Sequence, residues 1–229
     1  MHPWAEEGFA RAAGVYERGR PGYPAATVSY LVQRLGLSPE RTVVDLGAGT
    51  GKLTRLLVPS GARVVAVEPV RAMRELIPAG AIEVLAGSAE AIPLPDASAD
   101  AVTVAQAFHW FRAEDARAEI DRVLRPGGAL AIVTNVRDET DPLQRAFLEI
   151  LRRHRAHASL EQPPEGGRRF SNVHEVDGET LLAQAASESS IALLDGPARE
   201  AALAEFAALL PSGRAQLRYV TVVEISVRH

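Results

Sequence analysis

The 229 residues contain no cysteine, which rules out a disulfide framework, a thiolate nucleophile and cysteine-ligated zinc or iron-sulfur centres. A chain without cysteine suits oxidising and reducing compartments equally. Lysine is nearly absent as well: Lys52 is the only one, and arginine supplies the remaining basic side chains. Nor is there an excess of positive charge, because 29 acidic residues against 25 basic ones leave a formal net charge of -4. That balance argues against nucleic acid or an anionic lipid surface as partner of the whole molecule. No apolar run approaches the roughly 20 residues needed to cross a bilayer, so no membrane span is expected. Met1 to Gly8 carries Glu6 and Glu7 and leads into no apolar stretch, unlike a secretory signal, so a soluble cytoplasmic protein is expected. There is no repeat of fixed period and no sustained heptad. What is present, 47% hydrophobic and 24% charged residues, suffices for one substantial core, and a single domain over residues 1–229 is expected.

From Thr42 to Thr134 short apolar runs alternate with helical patterns. Thr42 to Leu46 reads as strand one and ends in the glycine-rich turn Gly47 to Gly51, after which Leu53, Leu56 and Leu57 share one face of a short helix. Arg63 to Val67 is strand two, Val70 to Ile77 a helix halted near Pro78 and Gly80, and Ile82 to Leu85 strand three. Ala101 to Ala105 supplies strand four and Arg112 to Leu124 a helix ended by Pro126-Gly127-Gly128; Ala129 to Val133 is strand five. Strands this apolar, separated by helices, imply an α/β fold with a mostly parallel sheet and helices on both faces. Further on, Leu143 to His157 reads as a helix, Glu161 to Arg169 as a loop and Glu179 to Ala186 as a helix. Ser189 to Leu194 reads as a strand, Ala198 to Leu210 as a helix and Gln216 to Val227 as a closing strand. Residues 1–40, with Phe9, Tyr16, Arg18, Arg20, Tyr23, Tyr30 and a helix over Ala25 to Leu35, form an N-terminal helical cap. Residues of about 138–180 form a variable insert on the acceptor side.

In Gly47-Ala48-Gly49-Thr50-Gly51, glycines at alternate positions let a ligand lie almost against the backbone. Glu68, about 20 positions on and at the end of strand two, stands where an acid accepts hydrogen bonds from ribose hydroxyls. Lys52 occupies the place where a dinucleotide turn has its third small residue, which weakens a pyrophosphate cradle. A nucleoside with an amino-acid tail needs none.

The motifs Asp45-Leu46-Gly47-Ala48-Gly49-Thr50-Gly51, Val67-Glu68-Pro69, Gly87-Ser88-Ala89-Glu90 with Ile92-Pro93-Leu94, and Arg122 to Gly128 resemble, in order and spacing, the small-molecule class I S-adenosylmethionine-dependent methyltransferases. The resemblance is to the type-11 group with ubiquinone-biosynthesis-like and trans-aconitate-methyltransferase-like members, and Tyr16 to Pro24 and the closing segment match its habits. It implies a Rossmann-like seven-stranded sheet with a reversed final strand and the donor across the carboxyl ends of the first four strands. By this resemblance Gly47, Ala48, Gly49 and Gly51 approach the methionine portion, Asp45 orients its amino group, and Glu68 holds the ribose. Pro69 walls the adenine, Ser88, Ala89 and Glu90 lie beside it, and Gln106 is near the methionine portion. Ser88 stands where the family commonly has aspartate; its hydroxyl accepts a hydrogen bond without charge assistance.

The donor's sulfonium already activates the methyl group, so alignment and exclusion of water are the protein's main tasks. If a general base is required, His109, in Phe108-His109-Trp110-Phe111 after strand four, is the first candidate, with Tyr16 and Tyr23 as alternatives and Arg20 as partner for a donor or acceptor carboxylate. His109 can equally be a packing residue beside Trp110, and the others can simply complete the cap. His154, His157 and His174 lack metal-ligand spacing, so no metal is expected, and Arg152-Arg153-His154-Arg155 reads as a solvated helix face. The expectation is methyl transfer from S-adenosylmethionine to a small-molecule acceptor, with S-adenosylhomocysteine as product, by a monomer or homodimer. A noncatalytic S-adenosylmethionine-binding protein and a nicotinamide-dinucleotide oxidoreductase are the competing classes.

Overall fold

The computed structural model describes residues 13–154 and 166–228. Phe9, Arg155 and His157 lie outside the described residues. Seven strands make one sheet: β1 (Thr42–Leu46), β2 (Arg63–Val67), β3 (Ile82–Leu85), β4 (Ala99–Ala105), β5 (Leu124–Arg137), β6 (Arg168–Asp177) and β7 (Arg214–Val227), in the order β3-β2-β1-β4-β5-β7-β6. The first five pair in parallel, and β7 runs antiparallel to both of its neighbours, β5 and β6. Of the seven, only the final strand is reversed, as expected. The helices are α1 (described over residues 13–19), α2 (Ala25–Leu35), α3 (Thr54–Leu57), α4 (Arg71–Arg74), α5 (Ala113–Val123), α6 (Pro142–Arg153), α7 (Gly178–Ala186), α8 (Ser189–Ala192) and α9 (Gly196–Leu209).

The central strands are largely apolar because both faces are covered, with Asp45, Asp100 and Thr103 as buried polar exceptions. On one side Val44, Leu46, Val102, Val104 and Leu130 pack with Ala116, Ile120 and Val123 of α5. On the other, Val43, Val64, Ala131 and Val133 meet Leu31 and Leu35 of α2, Leu53 just before α3 and Leu57 at its end. Beyond β5 that second face is covered by α6, α7 and α9, where Phe147, Leu181 and Phe206 pack with Leu217 and Tyr219 of β7. Helix starts follow local chemistry: the Asp141 carboxylate accepts from the N–H groups of Leu143 and Gln144, and Asp195 from that of Ala198, each with proline in the first turn.

Five expectations need correction. The segment expected as a strand from Ser189 to Leu194 contains α8 instead, with Ile191 fully buried in the α6-α7-α9 cluster; a short apolar run does not distinguish strand from helix by periodicity. The missing strand is β6, in a stretch expected to be loop and insert. There Phe170, Asn172, His174 and Val176 alternate with charged or exposed residues, the pattern of an edge strand whose inward face is partly polar. Pro126 to Gly128 lies within β5 and is not a helix-to-strand reversal: Ala99 pairs with Leu124 and Ala101 with Ala129, so the proline and glycines are taken up in an irregularity of the ladder. The helix expected from Val70 to Ile77 is regular only over α4, and Leu56 is exposed, unlike Leu53 and Leu57.

Candidate functional site at the carboxyl ends of the strands

Between β1 and α3 the chain takes left-handed φ values of 69°, 56° and 81° at Gly47, Gly49 and Gly51, which side-chain-bearing residues adopt only at a cost. The two outer glycines are hemmed in. A Cβ on Gly47 would come within 2.8 Å of the Ala107 methyl, and one on Gly51 within 3.3 Å of the Ile77 side chain, whereas one on Gly49 would meet nothing within 4 Å. The turn is thus packed at its ends and open in the middle. The N–H groups of Gly47 and Ala48 donate to the carbonyl of Val67 at 2.8 and 3.2 Å, tying the turn to the end of β2.

Glu68 follows Val67 and is brought to the open glycine. Its Oε2 accepts from the Gly49 N–H and its Oε1 from the Val70 N–H, both at 2.9 Å, with 5% of the residue exposed. Burial raises its pKa against the pull of those two N–H groups. Each oxygen still has a lone pair for another donor. Arg74 donates to the carbonyls of Glu68 and Pro69 at 2.8 and 2.6 Å and fixes this corner.

Asp45 lies inside the sheet, with 1% of its surface exposed. It accepts from the Thr54 hydroxyl at 2.5 Å and the Thr103 hydroxyl at 2.9 Å, linking β1, α3 and β4, and burial pushes its pKa up to about 6. Ala89 is buried beside Leu46 and Val67, and Ser88 forms an isolated bridge with Ala91. Glu90 accepts from the Arg112 N–H at 3.0 Å, just ahead of α5, and from the Ser88 hydroxyl.

Gln106 directly follows β4 with φ of 55°, a left-handed conformation rare outside glycine. Its N–H donates to Val133 at 2.9 Å and its Nε2 to the Asn135 carbonyl at 3.3 Å, while Oε1 is buried with no hydrogen-bond partner among the described residues. Exchanging amide oxygen and nitrogen would set Oε1 against the Asn135 carbonyl, so the orientation is fixed. His109 follows on a single 3-10 turn over Phe108–Trp110, exposed, with its ring 4.8 Å from that of Trp110.

The N-terminal segment crosses this end of the sheet and is fastened at several points. Tyr16 packs near Val70 and Met73, and its hydroxyl pKa is raised by burial; Arg20 lowers it and the neighbouring Glu68 carboxylate raises it. Arg20 stacks 5.3 Å from the Tyr16 ring, donates to the Ser187 hydroxyl and carbonyl at 2.9 Å each, and lies 3.2 Å from Glu188 Oε1, which also takes Arg137 at 2.7 Å. His174 Nε2 is 3.2 Å from the Gly19 carbonyl. The Gly22 carbonyl accepts from Asn135 at 3.2 Å and Asn172 at 2.9 Å, and Thr221 donates to Asn135 Oδ1 at 2.6 Å. Tyr23 packs partly buried beside the α2 cluster.

Asp45, the glycine turn, Glu68 and Pro69 thus come together as one corner, and Tyr16 lies beside it. Ser88, Ala89 and Glu90 stand in the loop after β3, and His109 points to the surface. Sequence reasoning missed Glu17, Asn135, Asn172, Ser187 and Glu188; the alternation Asn172, His174 was a usable signal once β6 is recognised. Among the described residues no group of three or more His, Asp or Glu is arranged to hold a metal ion, and His154 is 2.6 Å from Glu205.

A parallel sheet with one reversed final strand, an alternating-glycine turn after β1 and an acid ending β2 together make the arrangement expected of a class I S-adenosylmethionine-dependent methyltransferase, and residues 44–132 match the family described as methyltransferase domain. An uncharacterized methyltransferase of Mycobacterium tuberculosis is 48% identical over 147 residues, 63% of this chain and 59% of the relative. An uncharacterized methyltransferase-like protein of Schizosaccharomyces pombe is 40% identical over 148 residues, 62% of this chain and 57% of that protein. The chain thus spans less than two thirds of these relatives. The solved structure of a putative type II methyltransferase from Anaeromyxobacter dehalogenans superposes with a TM-score of 0.68 at 24% identity, covering 91% of this chain and 97% of that one, a likeness of fold. Among the described residues no helix is long and apolar enough to cross a membrane.

Proposed function

We propose that this protein transfers the methyl group of S-adenosylmethionine to a small-molecule acceptor and releases S-adenosylhomocysteine. The observation that carries the proposal is the meeting of the Glu68 carboxylate with the N–H of Gly49, the open member of the glycine turn. The residues suit such a nucleoside: a buried carboxylate with lone pairs to spare, a backbone that a ligand can approach, and the unpartnered Oε1 of Gln106 two strands away. When bound, the sulfonium supplies a methyl group already activated toward a nucleophile.

In this reading Glu68 accepts from the ribose hydroxyls, and the backbone from Gly47 to Gly51, Ala48 included, faces the amino-acid portion. Pro69, Ser88, Ala89 and Glu90 line the adenine side. Asp45 acts indirectly: held by Thr54 and Thr103, it sets the angle between β1 and α3 and so the shape of the turn. Gln106 presents an acceptor oxygen on the methionine side, and the fastened segment from Tyr16 to Tyr23, with Arg20, excludes water. His109, exposed on the 3-10 turn at this rim, is the candidate general base. No metal is invoked.

Calorimetric titration with S-adenosylmethionine, S-adenosylhomocysteine and nicotinamide dinucleotides tests the donor. The sulfur nucleosides are expected to bind, and Glu68→Ala to weaken them at least about tenfold, the value of one or two charge-assisted bonds. Gly49→Val is expected to block approach. Tight dinucleotide binding with no response to either sulfur nucleoside would overturn the reading. Labelled-methyl transfer over a metabolite library then identifies the acceptor.

A further inference from the structure

One cluster on the glycine turn is not used by the donor reading above. Thr50, Lys52 and Arg55 lie on either side of Gly51, and all three reach Glu17 of α1. The Thr50 hydroxyl donates to Glu17 Oε2 at 2.5 Å and Arg55 Nη2 to Oε1 at 2.5 Å. Lys52 Nζ donates to the Glu17 carbonyl at 2.6 Å and lies 3.9 Å from Oε1. Arg55 Nη1 also braces the Thr50 carbonyl at 2.9 Å, so two of the three donors are tied to each other without Glu17.

The charges do not balance. Two cations from one rigid stretch face a single carboxylate contributed by another element. Burial lowers the Lys52 pKa, with Glu17 opposing and Arg55 adding to the fall, and the Lys52 charge is itself felt at His174. The Glu17 side chain is 37% exposed, against 19% for Lys52 and 33% for Arg55, so the carboxylate is the more exposed partner of Lys52 and comparable with Arg55. Donors fixed beforehand, net positive charge and partial burial are what an anion subsite requires.

We propose that Thr50, Lys52 and Arg55 form a carboxylate-binding subsite, occupied in this structure by the chain's own Glu17, and that a ligand carboxylate takes the place of Glu17 when the neighbouring site fills. The subsite deepens the methyl-transfer reading and rests on it for the neighbouring ligand. The carboxylate is either the amino-acid tail of the donor or part of an acidic acceptor. In both cases Glu17 competes with the ligand, and its removal raises affinity by the fraction of time it holds the cradle.

Calorimetry with three probes separates these sources: S-adenosylhomocysteine, which has nucleoside and carboxylate; 5′-methylthioadenosine, which has the nucleoside alone; and succinate, which has carboxylates alone. Each is titrated into the wild type, Glu17→Gln and Lys52→Met, with Arg55→Gln replacing Lys52→Met if the latter melts early. If the donor tail is the occupant, Glu17→Gln binds S-adenosylhomocysteine several-fold tighter and Lys52→Met about tenfold weaker, while 5′-methylthioadenosine is unchanged. If an acidic acceptor is the occupant, succinate binds the S-adenosylhomocysteine-saturated protein, tighter in Glu17→Gln and weaker in Lys52→Met. The proposal fails if both nucleosides shift together or if no probe responds to either substitution, for Glu17 is then only a fastening of α1. Should neither nucleoside bind the wild type, it is the methyl-donor reading that fails, and succinate alone, titrated into the three proteins, decides whether the subsite exists.

Discussion

Asp45 is a carboxyl group placed where ionisation is expensive. Thr54 and Thr103 each donate one hydroxyl hydrogen to it, yet burial outweighs them and carries the pKa from 3.8 to about 6. Between those values the native chain holds a proton that the unfolded chain has released, so stability falls as pH rises through the window and levels off above it. The slope for one such group is at most ~1.4 kcal/mol per pH unit. Asp45→Asn should flatten the pH dependence of the urea midpoint between about pH 4 and 6; an unchanged profile would mean that other groups set it. Glu68, raised by the same cause, adds a decline of the same sign. At this scale the sequence was most readable where a residue's role is local. The glycines of the turn and Glu68 announce themselves by position at strand ends. Glu17 and Glu188 did not, because their partners Arg55 and Arg137 are distant along the chain and an exposed-looking acid carries no mark of its ion pair.

At the end of α1 the chain passes so close to α7 that one missing side chain makes the docking possible. A Cβ on Gly19 would lie 2.3 Å from the Gln184 nitrogen and 2.4 Å from the Ala183 carbonyl carbon, which is backbone and cannot yield. Gly19→Ala is therefore expected to push the segment from Tyr16 to Tyr23 off its fastenings, costing ~1–3 kcal/mol by chemical denaturation and making bonds near Arg18 and Arg20 accessible to trypsin. Resistance to trypsin equal to that of the wild type would refute this. The elements themselves divide by how their pattern arises. β1, β2, β4 and the core of β5 are apolar runs between turn residues and were legible. β6 was not, since an edge strand that turns Asn172 and His174 inward to hold the Gly22 and Gly19 carbonyls lacks the apolar alternation by which strands are recognised. The polar side chains that hid the strand are the ones that fasten the cap.

Across the whole molecule the interior falls into distinct clusters, two sandwiching the central strands and a third under α6, α7 and α9. In the third, the fully buried rings of Phe147 and Phe206 lie 4.6 Å apart at 47°. Phe206→Ala should cost about 3–5 kcal/mol by urea denaturation with an unchanged m-value, since the loss is of packing and not of the extent of folding. A smaller loss would mean that the three helices close over the gap. The fold class was legible from the strand-helix rhythm and the reversed end, whereas the order in which the last strands lie was not, because apolar patterning does not encode which neighbour a strand chooses. That order has a consequence for synthesis. β6 precedes β7 in the chain but bonds to the sheet only through it. As the polypeptide leaves the ribosome, β6 has no docking place until the later segment has threaded in beside β5. The β6 side chains that hold the Gly19 and Gly22 carbonyls, His174 and Asn172, are therefore expected to reach their places only once β7 has been made.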